Sequence, residues 1–449
     1  MTYRASKKTG MTRLDRRVVH YYLEWARTRF WLIPISMCVI ALLLALATLE
    51  LDRHCNWCAQ LSPVSGLGID ATRNLMGVLA TSILSVGGVS FSITMVALSM
   101  TSGQYGPKVM RYFLADTRSK VSIGLFFATA LFALVVFVGV EEPLQPRLTV
   151  FAAVSLALLA LMEFMRFIHR TSTDLQADEI IQRLGRQTRA DLSHLQEHSP
   201  KYCAERVADT QQWRQAARKL QAAQIPSPSE GYIQTIDFDG LVANLAAQES
   251  LALLRVRPGD FVLCKDPVLS LWSTSGVGEE SLDNKHSSFI TAGSIRTAAD
   301  DAQFPITQIQ QIAARALSPG INDPGTAITC IDWLTVCLAE IVDSDLVQNV
   351  FVDAQGEPRL LIPRLDFEIF CDNVYSPPRR LTADNIPVAI CLMDSKIRLA
   401  KLTQRPERLG VIQKHATLLM DCVERAGHCD YDLRMVRQRY QKVRRLTSS

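Results

Sequence analysis

No charged residue interrupts Phe30–Leu49, Leu75–Met100 or Val121–Val140 in this 449-residue chain. Buried helices of water-soluble proteins are rarely so long and so uncharged, and spanning hydrocarbon takes roughly 20 mostly apolar residues. A wholly soluble fold is therefore excluded. A fourth apolar run, Leu148–Phe164, contains only Glu163. Intramembrane carboxylates and histidines, which mark the proton relays of coupled pumps, are otherwise missing. Glu163 and Arg166 lie three apart near the end of that run, where an ion pair or snorkelling explains them.

The signatures of catalysis are equally sparse. The eight histidines form no HExxH, there is no Walker lysine, and Ser318 has no nucleophile-elbow flanks. No repeat occurs at solenoid periods. The 11 cysteines are scattered, with one close pair, Cys55 and Cys58 in "HCNWC". That pair lacks the second ligand pair of a zinc site, and the following Ala59 excludes a c-type haem motif. Three readings stay open for it: a disulfide, inert thiols, or part of a metal site with His54. No cofactor and no nucleic-acid partner is expected, and the balance leans away from an enzyme.

What the chain does have is an uneven distribution of its 48% hydrophobic content. The long apolar runs come first, and polar and charged residues dominate after about residue 168. The expected fold is an α-helical membrane protein with four transmembrane helices, followed by a mixed α+β cytoplasmic domain containing a small β-sandwich-like part. Five regions follow from the pattern: a basic N-terminal segment (1–29), a four-helix membrane domain (30–168), linker helices (169–225), a β-rich subdomain (226–300) and an α/β subdomain with C-terminal helices (301–449).

Basic flanks set the orientation, because short cytoplasmic loops keep Lys and Arg. Residues 1–29 carry Arg4, Lys7, Lys8, Arg13, Arg16, Arg17, Arg27 and Arg29 against Asp15 and Glu24. The loop after the second run holds Lys108, Arg111, Arg118 and Lys120, while the opposite loops hold Glu50, Asp52, Asp70, Glu141 and Glu142. Both termini are expected in the cytoplasm of a bacterial inner-membrane, multi-pass protein. The first run is too long for a cleaved signal and reads as a retained anchor.

Within the second run, Thr81, Ser85, Gly88, Ser92, Met95, Ser99 and Ser102 alternate at spacings of four and three. That heptad places a small, mostly polar stripe on one helix face. Such a stripe serves either close helix packing or the wall of a water-filled path. The run continues into Gly103, Gly106 and Pro107, which stop or kink a helix. Four helices in one chain hardly enclose a pore, so conduction would require a homo-oligomer in the lipid bilayer, with ions as the partner.

Farther on, "RPGD" reads as a tight turn between short strands, and residues 274–288 as a loop. Two helices, about Pro305–Leu317 and Pro324–Val342, flank "SPGIND". Gly320 is expected to take the positive φ that closes the first helix, Asp323 to cap the second and Pro324 to start it. A functional reading assigns Arg315, Ser318, Asn322 and Asp323 to a small anionic ligand at the helix start, or to an interface. Residues 350–372, "VFVDAQGEPRLLIPRLDFEIFCD", read as β-rich, and helices are expected from about Asn385.

The phrases "RALSPGINDPGTAITCIDWL", "SFSITMVALSMTSGQYGPKVMRYFLAD" and "GYIQTIDFDGL...RPGDFVL" together resemble a bacterial predicted-membrane-protein family, domain of unknown function 2254. The resemblance covers about residues 20–430 and implies a four-helix membrane region with a cytoplasmic domain and no assigned reaction. Two functions follow as expectations. One is an oligomeric ion channel or pore with a regulatory cytoplasmic domain. The other is a membrane-anchored sensor or scaffold binding a ligand or protein.

Overall fold

The computed structural model describes residues 31–54, 68–105, 116–140, 146–174, 176–197, 213–215, 217–218, 221–227, 229–273, 286–297, 301, 303–344, 350–363, 366–382 and 384–448. The basic segment 1–29, the loop basics Lys108 and Arg111, Gly106 with Pro107, Glu141 with Glu142, and most of the 274–288 loop lie outside these residues. The chain forms two compact units, Met1–Gln176 and Ala177–Ser449.

The first unit contains α1 (Leu32–His54), α2 (Ile69–Tyr105), α3 (Thr117–Gly139) and α4 (Arg147–Asp174). The apolar runs are thus helical, and each helix extends beyond its uncharged stretch. Helix α3 is the hub, packed against α1, α2 and α4, with Ile123, Phe126, Phe132 and Val136 fully buried. Small residues let the helices approach, as membrane interiors require. A Cβ on Gly124 would lie 2.7 Å from Met37 Sδ and 3.1 Å from Pro34 Cα on α1.

Polar groups tie the helix ends. Asp52, on the last turn of α1, caps α4 by accepting from Leu148 N (3.1 Å), Thr149 N (2.9 Å) and Thr149 Oγ1 (2.7 Å). Arg73 Nη2, near the start of α2, donates to Val140 O at the end of α3 (2.7 Å). These contacts gather one end of each helix, so the bundle runs up and down. At the other end, Glu163 accepts from Ser122 Oγ (2.6 Å) and Arg170 Nη2 (2.8 Å). Arg166, the partner expected from sequence, sits 3.8 Å from Glu163 and is 76% exposed, so Arg170 makes the closer pair. The register explains it: Arg170 is two turns along, on the face Glu163 shares.

The second unit begins with α5 (Ala177–Glu197), which packs against the later helices α7 (Gln303–Ala316) and α8 (Pro324–Ile341). Gly185 makes the approach close, since a Cβ there would lie 2.4 Å from Trp333 Cε3. Next come β1 (Gln221–Pro226), β2 (Gly231–Ile236), α6 (Phe238–Ala247), β3 (Leu251–Leu254), β4 (Phe261–Val262), β5 (Pro267–Ser273) and β6 (Ile290–Gly293). After α7 and α8 the chain returns to strands β7 (Val350–Val352) and β8 (Pro358–Leu361).

The strands form a five-stranded sheet, β1-β5-β3-β8-β7, and a three-stranded sheet, β4-β2-β6. Both contribute to one apolar core, including Ile225, Ile233, Leu241, Leu269, Ile290 and Leu360. The β7–β8 hairpin reaches this core because β8 pairs in parallel with β3, Ala252 opposite Leu360. The "RPGD" turn is present, with Gly259 at φ +92° and Asp260 Oδ2 accepting from Arg257 N (2.8 Å).

Four further helices complete the unit: α9 (Phe367–Thr382), α10 (Ile386–Ala400), α11 (Pro406–Arg425) and α12 (Asp430–Thr447). Helix α9 overturns the β-rich reading of "DFEIFCD". Asp366 accepts from Ile369 N (3.1 Å) to start it, and Phe367, Phe370, Cys371, Val374 and Tyr375 recur at helical spacing on its buried face. Among the described residues five helices, not four, are long and apolar enough to cross a membrane: α1 to α4 and α8.

Candidate functional site

The "SPGIND" turn is built by hydrogen bonds within itself. Leu317 N donates to Ala313 O, Ser318 N (3.1 Å) and Oγ (2.7 Å) both donate to Arg315 O, and Asn322 N donates to Ser318 O (2.9 Å). Asp323 caps α8 through Thr326 N (3.1 Å) and Thr326 Oγ1 (2.6 Å), and Pro324 occupies the first turn. Those hydrogen bonds from Thr326 hold the Asp323 carboxyl below its usual range. The carboxylate also occupies the place at the helix start that an external anion would take.

The positive φ falls on Asn322 (φ 46°), not on Gly320. Asparagine takes this conformation more readily than most non-glycine residues, because its short polar side chain can hydrogen-bond the local backbone. Ser318 and Asn322, the residues without an evident structural task in the sequence, therefore shape the turn. Residues 319–323 are exposed, as is Arg315.

In α2 the stripe lies on the exposed side. Thr81, Ser85, Gly88, Ser92, Met95 and Ser99 are exposed and Ser102 is half-buried, whereas Thr72, Met76, Ile83, Gly87, Ser90, Ala97 and Thr101 form the buried face. The hydroxyls bond back to their own helix, Thr81 to Gly77 O (2.7 Å), Ser85 to Thr81 O (2.8 Å) and Ser92 to Gly88 O (3.0 Å). A shallow groove runs along this face, lined by Ser85, Gly88 and Ser92 with Val89, Ile93 and Met100 among its apolar neighbours. Cys55 and Cys58 lie outside the described residues.

A further constellation has no motif in the sequence. Lys396 on α10 is 1% exposed. Its Nζ donates to Leu392 O (3.0 Å) and stands 3.7 Å from the centroid of the Tyr375 ring. No carboxylate pairs with it among the described residues, and burial brings its pKa down to about 7. Tyr375 on α9 is itself buried, and its hydroxyl shares a 2.8 Å hydrogen bond with Ser395 Oγ, which accepts from Thr335 Oγ1 on α8 (2.7 Å).

Against the same ring, at 5.4 Å between centroids and tilted 46° to it, lies His415 of α11. It is 1% exposed, and neither ring nitrogen has a hydrogen bond. Asp372 Oδ1 is 3.3 Å from Nε2 but is not aligned to accept from it. Burial first, then the charges of Lys396, Lys414 and Arg379, push the imidazole pKa down to about 3. Arg379 Nε and Nη1 are buried without a hydrogen-bond partner. The centre thus joins α8, α9, α10 and α11, and among the described residues Lys396 within it has no carboxylate partner.

Pro377 and Pro378 lie inside α9 and remove two backbone donors. The Asn373 carbonyl, four residues before Pro377, accepts instead from Gln310 Nε2 on α7. No group of three or more His, Cys, Asp or Glu side chains suited to a metal occurs among the described residues.

The chain is 26% identical over 375 residues to the uncharacterized protein Rv1290c of Mycobacterium tuberculosis, covering 82% of this chain and 71% of that one. The uncharacterized protein Mb1321c of Mycobacterium bovis matches with the same identity and coverage. No solved structure matches at a significant level. The family model for predicted membrane proteins, DUF2254, matches residues 27–396, most of the chain, and the protein belongs to that family.

Proposed function

We propose that the protein is a homo-oligomeric inner-membrane channel, in which the α2 helices of several copies face one another around a path for ions. In this reading α1 to α4 span the membrane, both termini are cytoplasmic, and the second unit regulates the path from the cytoplasmic side. Helix α8 stays out of the bilayer, because its apolar residues Ala327, Cys330, Leu334 and Leu338 are already buried within the second unit.

The observation that carries the reading is the exposed stripe of α2 opposite a packed face. A hydroxyl that donates to its own helix turns only acceptor lone pairs outward. A row of such oxygens suits a cation shedding part of its hydration shell and disfavours an anion. Replacing Ser85, Ser92 and Ser99 together with Leu should abolish conductance of the reconstituted protein while leaving it folded. A purified protein that stays monomeric and passes no ions under voltage, tension or pH steps would sink the channel reading.

A second reading, a membrane-anchored sensor or scaffold, draws on the same back-bonding. Hydroxyls already satisfied by their own helix can face lipid, and the apolar flanks Val89, Val96 and Met100 suit that as well. The triple leucine variant would then keep full function.

A further inference from the structure

The second unit encloses the Lys396 amine with no carboxylate beside it among the described residues. Around the Tyr375 ring, α10 supplies Lys396 and Cys391, and α11 supplies His415, Lys414 and Arg408. Helix α9 supplies Arg379, Cys371, Glu368 and Asp372. Helix α8 supplies Thr335, and Asp332 acts on Cys391. Helix α12 faces α10 through Arg439, which pairs with Asp394. The two acids of α9 are already committed: Lys414 Nζ is 2.9 Å from Glu368 and 3.7 Å from Asp372, whose Oδ1 also lies 3.3 Å from His415 Nε2, and both carboxylates are about half exposed.

We propose that the Lys396–Tyr375–His415 stack is a proton-sensitive clasp, in which proton uptake by the buried amine and imidazole releases α9 from α10 and α11. The geometry supplies each part. A proton on Lys396 places charge in a buried space with one carbonyl and one aromatic face to receive it, and no counter-ion. A proton on His415 adds a second positive charge beside the same ring, where Asp372 Oδ1, 3.3 Å from Nε2, is shared with Lys414. Helix α9 is the element suited to move, since Pro377 and Pro378 have already removed two of its backbone donors. This inference stands apart from the membrane reading.

The direction of the response follows from linkage. A solvated lysine titrates near 10.5, and in the closed packing Lys396 does so near 7. The open form therefore binds more protons throughout that interval, so opening is favoured as pH falls from 10.5 to 7 and levels off below. His415, about 3 when closed against an ordinary 6.5, continues the trend below 6.5. Within each of the two windows the clasp loosens as pH falls, and between them the response is level.

Amide hydrogen exchange on the full-length protein in detergent, between pH 9 and pH 7, tests this. Base-catalysed exchange slows about tenfold for each unit of falling pH, while one linked proton raises the opening constant about tenfold. In the wild type the α9 amides should then exchange at a nearly pH-independent rate, and in Lys396→Met they should slow about tenfold per unit. Wild-type α9 amides that slow as steeply as the variant's would overturn the clasp. Should the variant fail to fold, the wild type decides alone. A flat profile confined to α9 supports the clasp, whereas a flat profile across the whole second unit, or none, overturns it.

Discussion

Replacing Lys396 with methionine is expected to stabilise the protein near neutral pH. Burial brings the amine from 10.5 down to about 7, and each unit corresponds to about 1.4 kcal/mol. Holding the amine in the fold near pH 7 therefore costs about 4 kcal/mol relative to a solvated lysine. Methionine has similar length without that cost, and forfeits the contact with the Tyr375 ring and the hydrogen bond to Leu392 O, about 1 kcal/mol each. The balance is a gain of about 2 kcal/mol, or a rise of about 4–8 °C in the unfolding midpoint of a unit this size.

The pH dependence separates this cause from better packing. Because the folded pKa lies below the unfolded one, the cost is absent above 10.5, grows as pH falls and is complete near 7. The methionine advantage should therefore vanish toward pH 10. Thermal unfolding of the purified full-length variant and wild type, followed by circular dichroism at both pH values, measures it. A variant less stable than wild type by a similar amount at both would refute the reasoning, and would mean that the amine contributes packing the ring contact alone does not capture.

Two further outcomes follow from the turn before α8. Asp323→Ala should lose about 1 kcal/mol near neutral pH by removing the cap. Since the Asp323 carboxyl titrates below its usual range in the fold, the deficit should be full above the ordinary 3.8 and fade as pH falls through the lowered value, which denaturant unfolding at two acidities would detect. Asn322→Gly should be neutral or mildly stabilising, because glycine accepts the positive φ freely, whereas Asn322→Val should cost about 1–2 kcal/mol in the same assay.

The sequence makes the helical runs of the first unit legible because hydrocarbon imposes length and freedom from charge together. It also makes the turn before α8 legible, since Asp323 and Pro324 act on immediate neighbours. The choice of residue within that turn is not legible: Gly320 and Asn322 can both take a positive φ, and only the backbone path of the turn selects Asn322. Helix α9 was hidden by "FEIF", whose bulky residues suit a strand, and by two prolines that argue against a helix. Lys396 was legible in principle, for Ala389, Leu392, Met393, Leu399 and Ala400 put it in the middle of an apolar stripe. His415 lies likewise between Ile412 and Leu419. That both stripes converge on Tyr375 depends on the path of α9, which is long-range information that no spacing in the sequence carries.

The parallel pairing of β3 with β8 has a consequence for biosynthesis. Strand β3 leaves the ribosome with its β5 partner following closely, but its other edge waits until Pro358–Leu361 has been made. At about 5–20 residues per second that is a delay of several seconds to about twenty. Throughout that interval a strand of sequence "LALL" presents unpaired backbone groups, a template for pairing with another chain. Nascent chains interrupted before residue 358 should be captured by chaperones or aggregate, even though every residue of the membrane bundle is already complete.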